Sequence, residues 1–167
     1  MSERLTWGTL PPAIRTLARW ITIVQLVGYT TSLVFVWRTT QLVPSGIAGH
    51  YRGKDPEASA AAMEFPKSFQ EMLTITHTHL LSMAVIFVLT GLGVALCAGL
   101  SERQKRFLVA EPFVALLVSF SAMWLMRYVD ARFSWLLEAS STLLAVTFYV
   151  QSWLILRELG ARGRTGS

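Results

Sequence analysis

The sequence has few charged residues and almost no cysteine. Charged residues occupy 15% of its 167 positions, whereas a typical soluble domain has about 25%. The single cysteine, Cys97, excludes a disulfide within the chain and any CxxC motif for a metal or for haem attachment. No serine or cysteine stands beside a base at the spacing of a nucleophilic site. The sequence therefore does not indicate a hydrolytic enzyme.

The shortage of charged residues arises from long apolar runs. Residues 80–100 hold no charged side chain in 21 positions, and about 20 such residues cross about 30 Å of hydrocarbon as a helix. Four segments of this kind predict spans at about 20–37, 69–100, 110–127 and 133–156, the third opened by Glu111-Pro112 with the proline in its first turn. Because Val36-Trp37-Arg38 follows the first run, that run is expected to be a span rather than a cleaved signal peptide. We predict an all-α fold, a single integral membrane four-helix bundle over residues 1–167.

Lysine and arginine predict the orientation. Nine of these residues are expected on the same side of the membrane as the two termini: Arg4, Arg15, Arg19, Arg103, Lys105, Arg106, Arg157, Arg162 and Arg164. The other six are expected on the opposite side: Arg38, Arg52, Lys54, Lys67, Arg127 and Arg132. Acidic residues on that side balance their positive charge. By the positive-inside rule, both termini are expected to be cytoplasmic in a bacterial inner membrane. The surplus of basic residues is then a topology signal, and we expect no nucleic-acid partner.

The connection at 38–68 is expected to be an outer loop. Its glycines and prolines argue against one continuous helix, although a surface-lying or re-entrant piece at 47–52 fits the pattern. A connection of this length without function is uncommon in a compact domain.

Titratable residues gather at the outer ends of the predicted spans. They are His50, His77, His79, Arg127 and Glu138, with Glu71 about two turns above the histidine pair. Because polar groups at span depth are costly, they commonly mark function. His77 and His79 point about 200° apart on a helix, so they ligate one ion together only if the helix unwinds. We expect His77 to face the bundle and His79 to face a second partner.

Four interpretations of the histidines stay open. The first is cofactor binding, with His77, His79 or His50 holding a haem b iron and Arg127 receiving a propionate or a quinone carbonyl. The second is a copper, zinc or non-haem iron site made by the same histidines with Glu71 or Glu138. The third is that the imidazoles carry a proton or bind a quinone headgroup. The fourth is that they only bond to Thr74, Thr76 or the backbone. Arg127 and Glu138 are most simply an ion pair between the third and fourth spans.

Two short motifs carry a resemblance. They are Ser45-Gly46-Ile47-Ala48-Gly49-His50-Tyr51-Arg52-Gly53, and Phe65-Pro66-Lys67-Ser68-Phe69 followed by His77-Thr78-His79-Leu80. Together they resemble small four-span bacterial membrane proteins of respiratory electron-transfer systems. The His77–Leu80 element is also similar to a helix in relatives of the haem–copper oxidases. Those proteins need further histidines on other spans, and this sequence lacks them.

The resemblance and the histidines lead to one expected function and two alternatives. We expect a subunit of a respiratory-type membrane electron-transfer complex that binds haem b or quinone and contacts other membrane subunits or a periplasmic cytochrome. The first alternative is a non-redox structural or assembly subunit of a larger membrane complex. The second is a metal-handling membrane protein. A homo-oligomer is compatible with all three.

Overall fold

The computed structural model describes residues 5–53 and 65–161 and folds them into five helices. These are α1 (Pro12–Thr40), α2 (Pro44–Arg52), α3 (Phe69–Ala95), α4 (Glu102–Tyr128) and α5 (Phe133–Ala161). The four long helices are long and apolar enough to cross a membrane, whereas α2 is a short helix between the first two. The described ranges contain no strand. The predicted all-α fold is confirmed.

Hydrogen bonds between the long helices set their directions. Side-chain and carbonyl partners join α1 to α5, α4 to α5 and α3 to α4 in antiparallel pairs: Arg19–Leu159, Thr30–Tyr149, Ser119–Ser140, Gln151–Leu108, Trp124–Thr76 and Lys105–Ala95. One end of the bundle, here called the α2 end, therefore holds Thr40, α2, Phe69, Tyr128 and Phe133. The other, the Trp7 end, holds Trp7, Pro12, Ala95, Glu102 and Ala161.

A cluster of rings fills the middle of the bundle. Phe87 and Phe148 are buried, and their ring centroids lie 6.3 Å apart in an edge-on arrangement. Tyr29 of α1 stacks on Phe148 with centroids 4.1 Å apart. Aromatic pairs with this geometry add to the stabilisation from burial alone. Helix α1 reaches the core mainly through this ring, since only Thr22 and Thr40 are fully buried along it.

A second cluster closes the Trp7 end. Trp7 precedes α1 and packs with Val94, Cys97, Ile155 and Leu159. Its indole Nε1 donates to the carbonyl of Gly93 at 2.9 Å, and its backbone N–H donates to Leu96 O at 3.1 Å. The segment before the first span is thus part of the folded bundle.

Two serines define where α3 and α4 begin. Ser68 forms a capping box with Glu71, and Ser101 forms one with Gln104, so that backbone donors of each first turn are satisfied. Helix α4 therefore begins about two turns before residue 110, where the third span is expected to start. Pro112, expected in a first turn, lies in the interior of α4.

Basic side chains cap three helix carboxyl ends. The last four carbonyls of a helix have no helical donor, and positive charge is favourable there. Each of three long helices receives such a donor from another part of the chain: Arg52 Nη1 to Met126 O at 2.8 Å, Arg19 Nη2 to Leu159 O at 3.0 Å and Lys105 Nζ to Ala95 O at 3.0 Å. These bonds connect elements at both ends of the bundle.

Exposed tryptophans mark two belts. Trp20 and Trp37 stand 17 residues apart on α1, which corresponds to about 26 Å along the helix and is close to the thickness of a hydrocarbon layer. On α5, Trp135 and Trp153 stand 18 residues apart, or about 27 Å, and all four rings are exposed. Trp and Tyr favour both membrane interfaces. An arginine lies over an aromatic ring in three places, Arg38 on Trp37, Arg127 on Tyr128 and Arg157 on Trp153.

A left-handed turn carries the chain from α1 into α2. Gln41 and Leu42 have φ values of 59° and 52°, a region that few non-glycine residues adopt. Gly46 then lets α2 approach the end of α1, because a side chain there would overlap the carbonyl oxygen of Thr40. The stretch at 47–52, expected to be a surface-lying or re-entrant piece, belongs to helix α2. Residues 54–64 lie outside the described part of the chain.

Candidate functional site at the α2 end

Helix α2 is tied to the bundle through the segment that precedes α3. The backbone N–H of Lys67 donates to Tyr51 O at 2.9 Å, and Arg127 Nε donates to Lys67 O at 2.8 Å. The bond from Arg52 to Met126 O joins α2 directly to α4. Ile47, the buried residue of α2, faces inward. These contacts hold His50 and Tyr51 over the bundle end, and burial raises the pKa of the Tyr51 phenol.

Arg127 and Glu138 are not brought together as an ion pair in the described residues. Arg127 is held by the Lys67 carbonyl and by the ring of Tyr128, 4.9 Å from its guanidinium carbon. The carbonyl of Lys67 precedes α3 and has no helical partner, so it competes with the carboxylate of Glu138 for the guanidinium of Arg127. Glu138 lies on α5 with its Oε2 buried and without a hydrogen-bond partner in this part of the chain.

Both histidines of the α3 pair are exposed on the surface of the bundle. The expectation that His77 faces inward is therefore wrong. The inward face of α3 is made instead by Met72, Phe87 and Thr90, and by Thr76, whose hydroxyl accepts from Trp124 Nε1 at 2.9 Å. His77 lies eight residues after Phe69, or about 12 Å along the helix, on the same face as Thr74, Thr78 and Leu81.

The imidazole of His79 lies against a backbone carbonyl. Its Nδ1 is 3.0 Å from the carbonyl oxygen of Ile75, and since a carbonyl only accepts, this contact is a hydrogen bond when Nδ1 carries the proton. In the neutral ring Nε2 is then the unprotonated nitrogen. Metal-ligating histidines commonly have this arrangement, in which a carbonyl fixes the nitrogen that does not ligate.

The other predicted ligands are separate from this pair. His50 lies half-buried on α2, with its ring 5.1 Å from that of Tyr51. Glu71 is held by the capping box and by Lys67, 3.7 Å away. Within residues 5–53 and 65–161, no group of three or more His, Cys, Asp or Glu side chains is placed to hold a metal ion.

Comparison with known proteins identifies the class. Residues 41–165 match the model of a family described as a transmembrane helical domain, and because the match covers most of the chain, the protein belongs to that family. It is a multi-pass transmembrane protein. No curated protein and no solved structure matches it.

Sequence reasoning missed the most unusual polar residues of the bundle. Glu111, Gln151 and Ser152 lie within α4 and α5, and each carries at least one buried oxygen without a hydrogen-bond partner in the described chain. By sequence, Glu111 is expected at the start of a span because Pro112 follows it. The signal that could have placed it correctly is Ser101-x-x-Gln104, a capping-box pattern that begins the helix earlier.

Proposed function

We propose that this protein is a subunit of a larger membrane complex, and that it binds a transmembrane helix of a partner subunit through the exposed face of α3 near the α2 end. This face, here called the α3 patch, consists of Thr74, His77, Thr78, Leu81 and Ser82. The patch gives a location to the non-redox alternative expected from the sequence.

The observation that carries the proposal is the exposure of His77 at span depth. Helix α3 is 27 residues long, or about 40 Å, so its ends project about 5 Å beyond a hydrocarbon layer of about 30 Å on each side. His77 then lies about 7 Å inside that layer. Ionisable side chains at such depth almost always face protein or water rather than lipid.

The composition of the α3 patch supports a helix as the partner. Thr74 and Ser82 satisfy their hydroxyls on the carbonyls of Gln70 and Thr78, at 2.9 and 2.8 Å. Both side chains are small, so they allow a close approach of another backbone. The side chain of His77 is exposed on this face, so a partner helix with a polar side chain would give its imidazole a hydrogen bond.

Photocrosslinking in native membranes tests the proposal. A photoreactive residue placed in turn at His77, Thr78 and Leu81 is expected to give one discrete protein adduct, while the same residue at Leu92, an apolar position on the same face of α3, gives lipid adducts. His77→Leu should weaken the adduct formed from Thr78. Lipid adducts alone at all four positions would exclude a partner helix here, and an adduct of twice the chain mass would identify the partner as a second copy.

The second candidate is the electron-transfer role, and the contact of His79 Nδ1 with Ile75 O favours it. An exposed imidazole with Nε2 unprotonated is ready to ligate an iron or accept a bond from a quinol hydroxyl. With haem b, the second axial ligand would come from a partner chain, a second copy or His50. Purified protein with a Soret band that is lost in His79→Ala and kept in Thr78→Ala would support this role. A colourless, iron-free protein that still forms the α3 adduct would leave only the first candidate.

A further inference from the structure

A buried carboxyl lies in the middle of the bundle, and no described residue neutralises it. Both oxygens of Glu111 are inaccessible to solvent and without a hydrogen-bond partner in the described chain. Glu111 is nine residues after the start of α4, or about 14 Å along the helix. The start of a hydrocarbon layer centred on α4 is about 5 Å along the helix. Glu111 is therefore well inside the membrane-spanning part.

The register of α4 and α5 locates what surrounds it. Ser119 bonds Ser140 at 2.8 Å, and Leu108 O accepts from Gln151 at 2.6 Å; the two bonds share one antiparallel register, which places Glu111 level with Phe148. Tyr29 of α1 stacks on Phe148 with ring centroids 4.1 Å apart, which places its ring at the same level.

No basic side chain reaches this level of the bundle among the described residues. On α1 and α5 the titratable groups there are the phenols of Tyr29 and Tyr149, 6.0 Å apart by ring centroids. On α3, the corresponding stretch at 88–90 is Val-Leu-Thr. The nearest cations on α4 itself are Arg106 and Lys105, and Lys105 is engaged by Ala95 O and Glu102.

Two further polar atoms lie one helical turn away. Gln151 and Ser152 are fully buried, and Gln151 Oε1 and Ser152 Oγ have no hydrogen-bond partner in the described residues. Gln151 Oε1 only accepts hydrogen bonds, and a carboxylate likewise only accepts. A carboxylic acid, by contrast, supplies the O–H donor that such an acceptor needs.

We propose that Glu111 is a proton-binding site inside the membrane, formed with Tyr29, Gln151 and Ser152. An unpaired carboxylate in an apolar interior is strongly disfavoured, and a proton neutralises it without a counter-ion side chain. Intramembrane carboxyls of this kind are the groups that relay protons in membrane proteins. The site is separate from the α3 patch and does not depend on a partner at that surface.

A hydrophobic carbodiimide tests the proposal on the intact protein in lipid vesicles. The reagent takes the proton of a carboxylic acid onto nitrogen while the carboxyl oxygen adds to its central carbon, and the acyl group then shifts to nitrogen as a stable acylurea. Peptide mass spectrometry is expected to find the adduct on Glu111, decreasing as the pH is raised. Glu111→Gln should remove it, whereas Glu138→Gln, a change at the other span glutamate with a buried oxygen, should leave it.

Infrared spectroscopy gives a readout that does not need the reagent to enter. The wild-type spectrum near neutral pH is expected to contain a protonated-carboxyl carbonyl band that is missing in Glu111→Gln and present in Glu138→Gln. Adducts on Glu111 that do not change with pH, or spectra of wild type and Glu111→Gln that coincide in this region, would overturn the assignment.

Discussion

Gln151 supplies the hydrogen bond that Pro112 cannot. Proline has no N–H, so the carbonyl four residues earlier in α4, that of Leu108, lacks its helical donor. Gln151 Nε2 donates to this oxygen at 2.6 Å from the neighbouring helix. Both Gln151 and Pro112 are buried, so that an interior proline is tolerated through a side chain of α5.

Replacing Gln151 should expose this dependence. Gln151→Leu leaves the Leu108 carbonyl buried and unpaired, and we expect it to lower the free energy of unfolding in detergent by about 1–3 kcal/mol. The same change in a Pro112→Ala background should cost clearly less, because alanine at this position restores the helical N–H. Denaturant titrations of the two single variants and the double variant measure the coupling. Equal costs in both backgrounds would show that the bond does not stand in for the helical donor.

Gly93 should not tolerate a side chain. A Cβ there would lie 2.5 Å from Ile155 Cδ1 and 2.9 Å from Ile155 Cγ1, so Gly93→Ala is expected to destabilise the bundle by about 1–3 kcal/mol through overpacking. Ile155→Val removes Cδ1 and should recover part of the loss. Gly28→Ala is the matched control, since its Cβ meets nothing within 4 Å. Thermal unfolding in detergent compares the variants, and a Gly93→Ala protein as stable as Gly28→Ala would contradict the packing of α3 on α5.

Trp7 should protect the only thiol. Cys97 follows the end of α3 and is buried beside Trp7, and burial raises the pKa of the Cys97 thiol to about 11. Because the thiolate is the reactive form, wild-type protein should react slowly with maleimide at neutral pH. Trp7→Ala should accelerate the reaction, while Trp7→Phe, which keeps a ring but loses the bond to Gly93, should give an intermediate rate. Fast labelling of folded wild type would show that the N-terminal segment does not cover Cys97.

The orientation predicted from lysine and arginine can be tested with single cysteines. In a Cys97→Ser background, Ser45→Cys on α2 should be labelled by an impermeant thiol reagent added outside bacterial cells with a permeabilised outer membrane. Gly99→Cys, exposed at the Trp7 end, should be labelled only after the inner membrane is opened. The reverse pattern would mean that the span ends to which the sequence assigns nine basic residues do not face the cytoplasm.

The helices themselves are predictable because the length of an apolar run depends only on residues that are adjacent in the sequence. The four long apolar helices and the absence of strands from the described ranges both follow from neighbouring residues. The start of α4 also has a local signal, the Ser101–Gln104 capping box, but Pro112 points to a later start. An interior proline is acceptable here only because of Gln151, 39 residues away, and no local pattern contains that contact.

The candidate site is less predictable because facing depends on packing. The sequence identifies His77 and His79 as unusual residues of α3, yet which side of the helix is covered depends on where Trp124 and Phe148 lie. By charge alone, Arg127 is expected on Glu138. In the structure Arg127 instead bonds the backbone carbonyl of Lys67. A comparison of side-chain charges does not consider backbone carbonyls, so it could not predict this contact.

The packing of α1 has a consequence for biogenesis. This helix is synthesised before the other three long helices, but three of its contacts are made with α5, the last of the four: Arg19 with Leu159, Tyr29 with Phe148, and Thr30 with Tyr149. These contacts can form only after α5 has been synthesised. Until then Tyr29 and Thr30 remain without these partners, so the four-helix bundle closes only when its last span is in place.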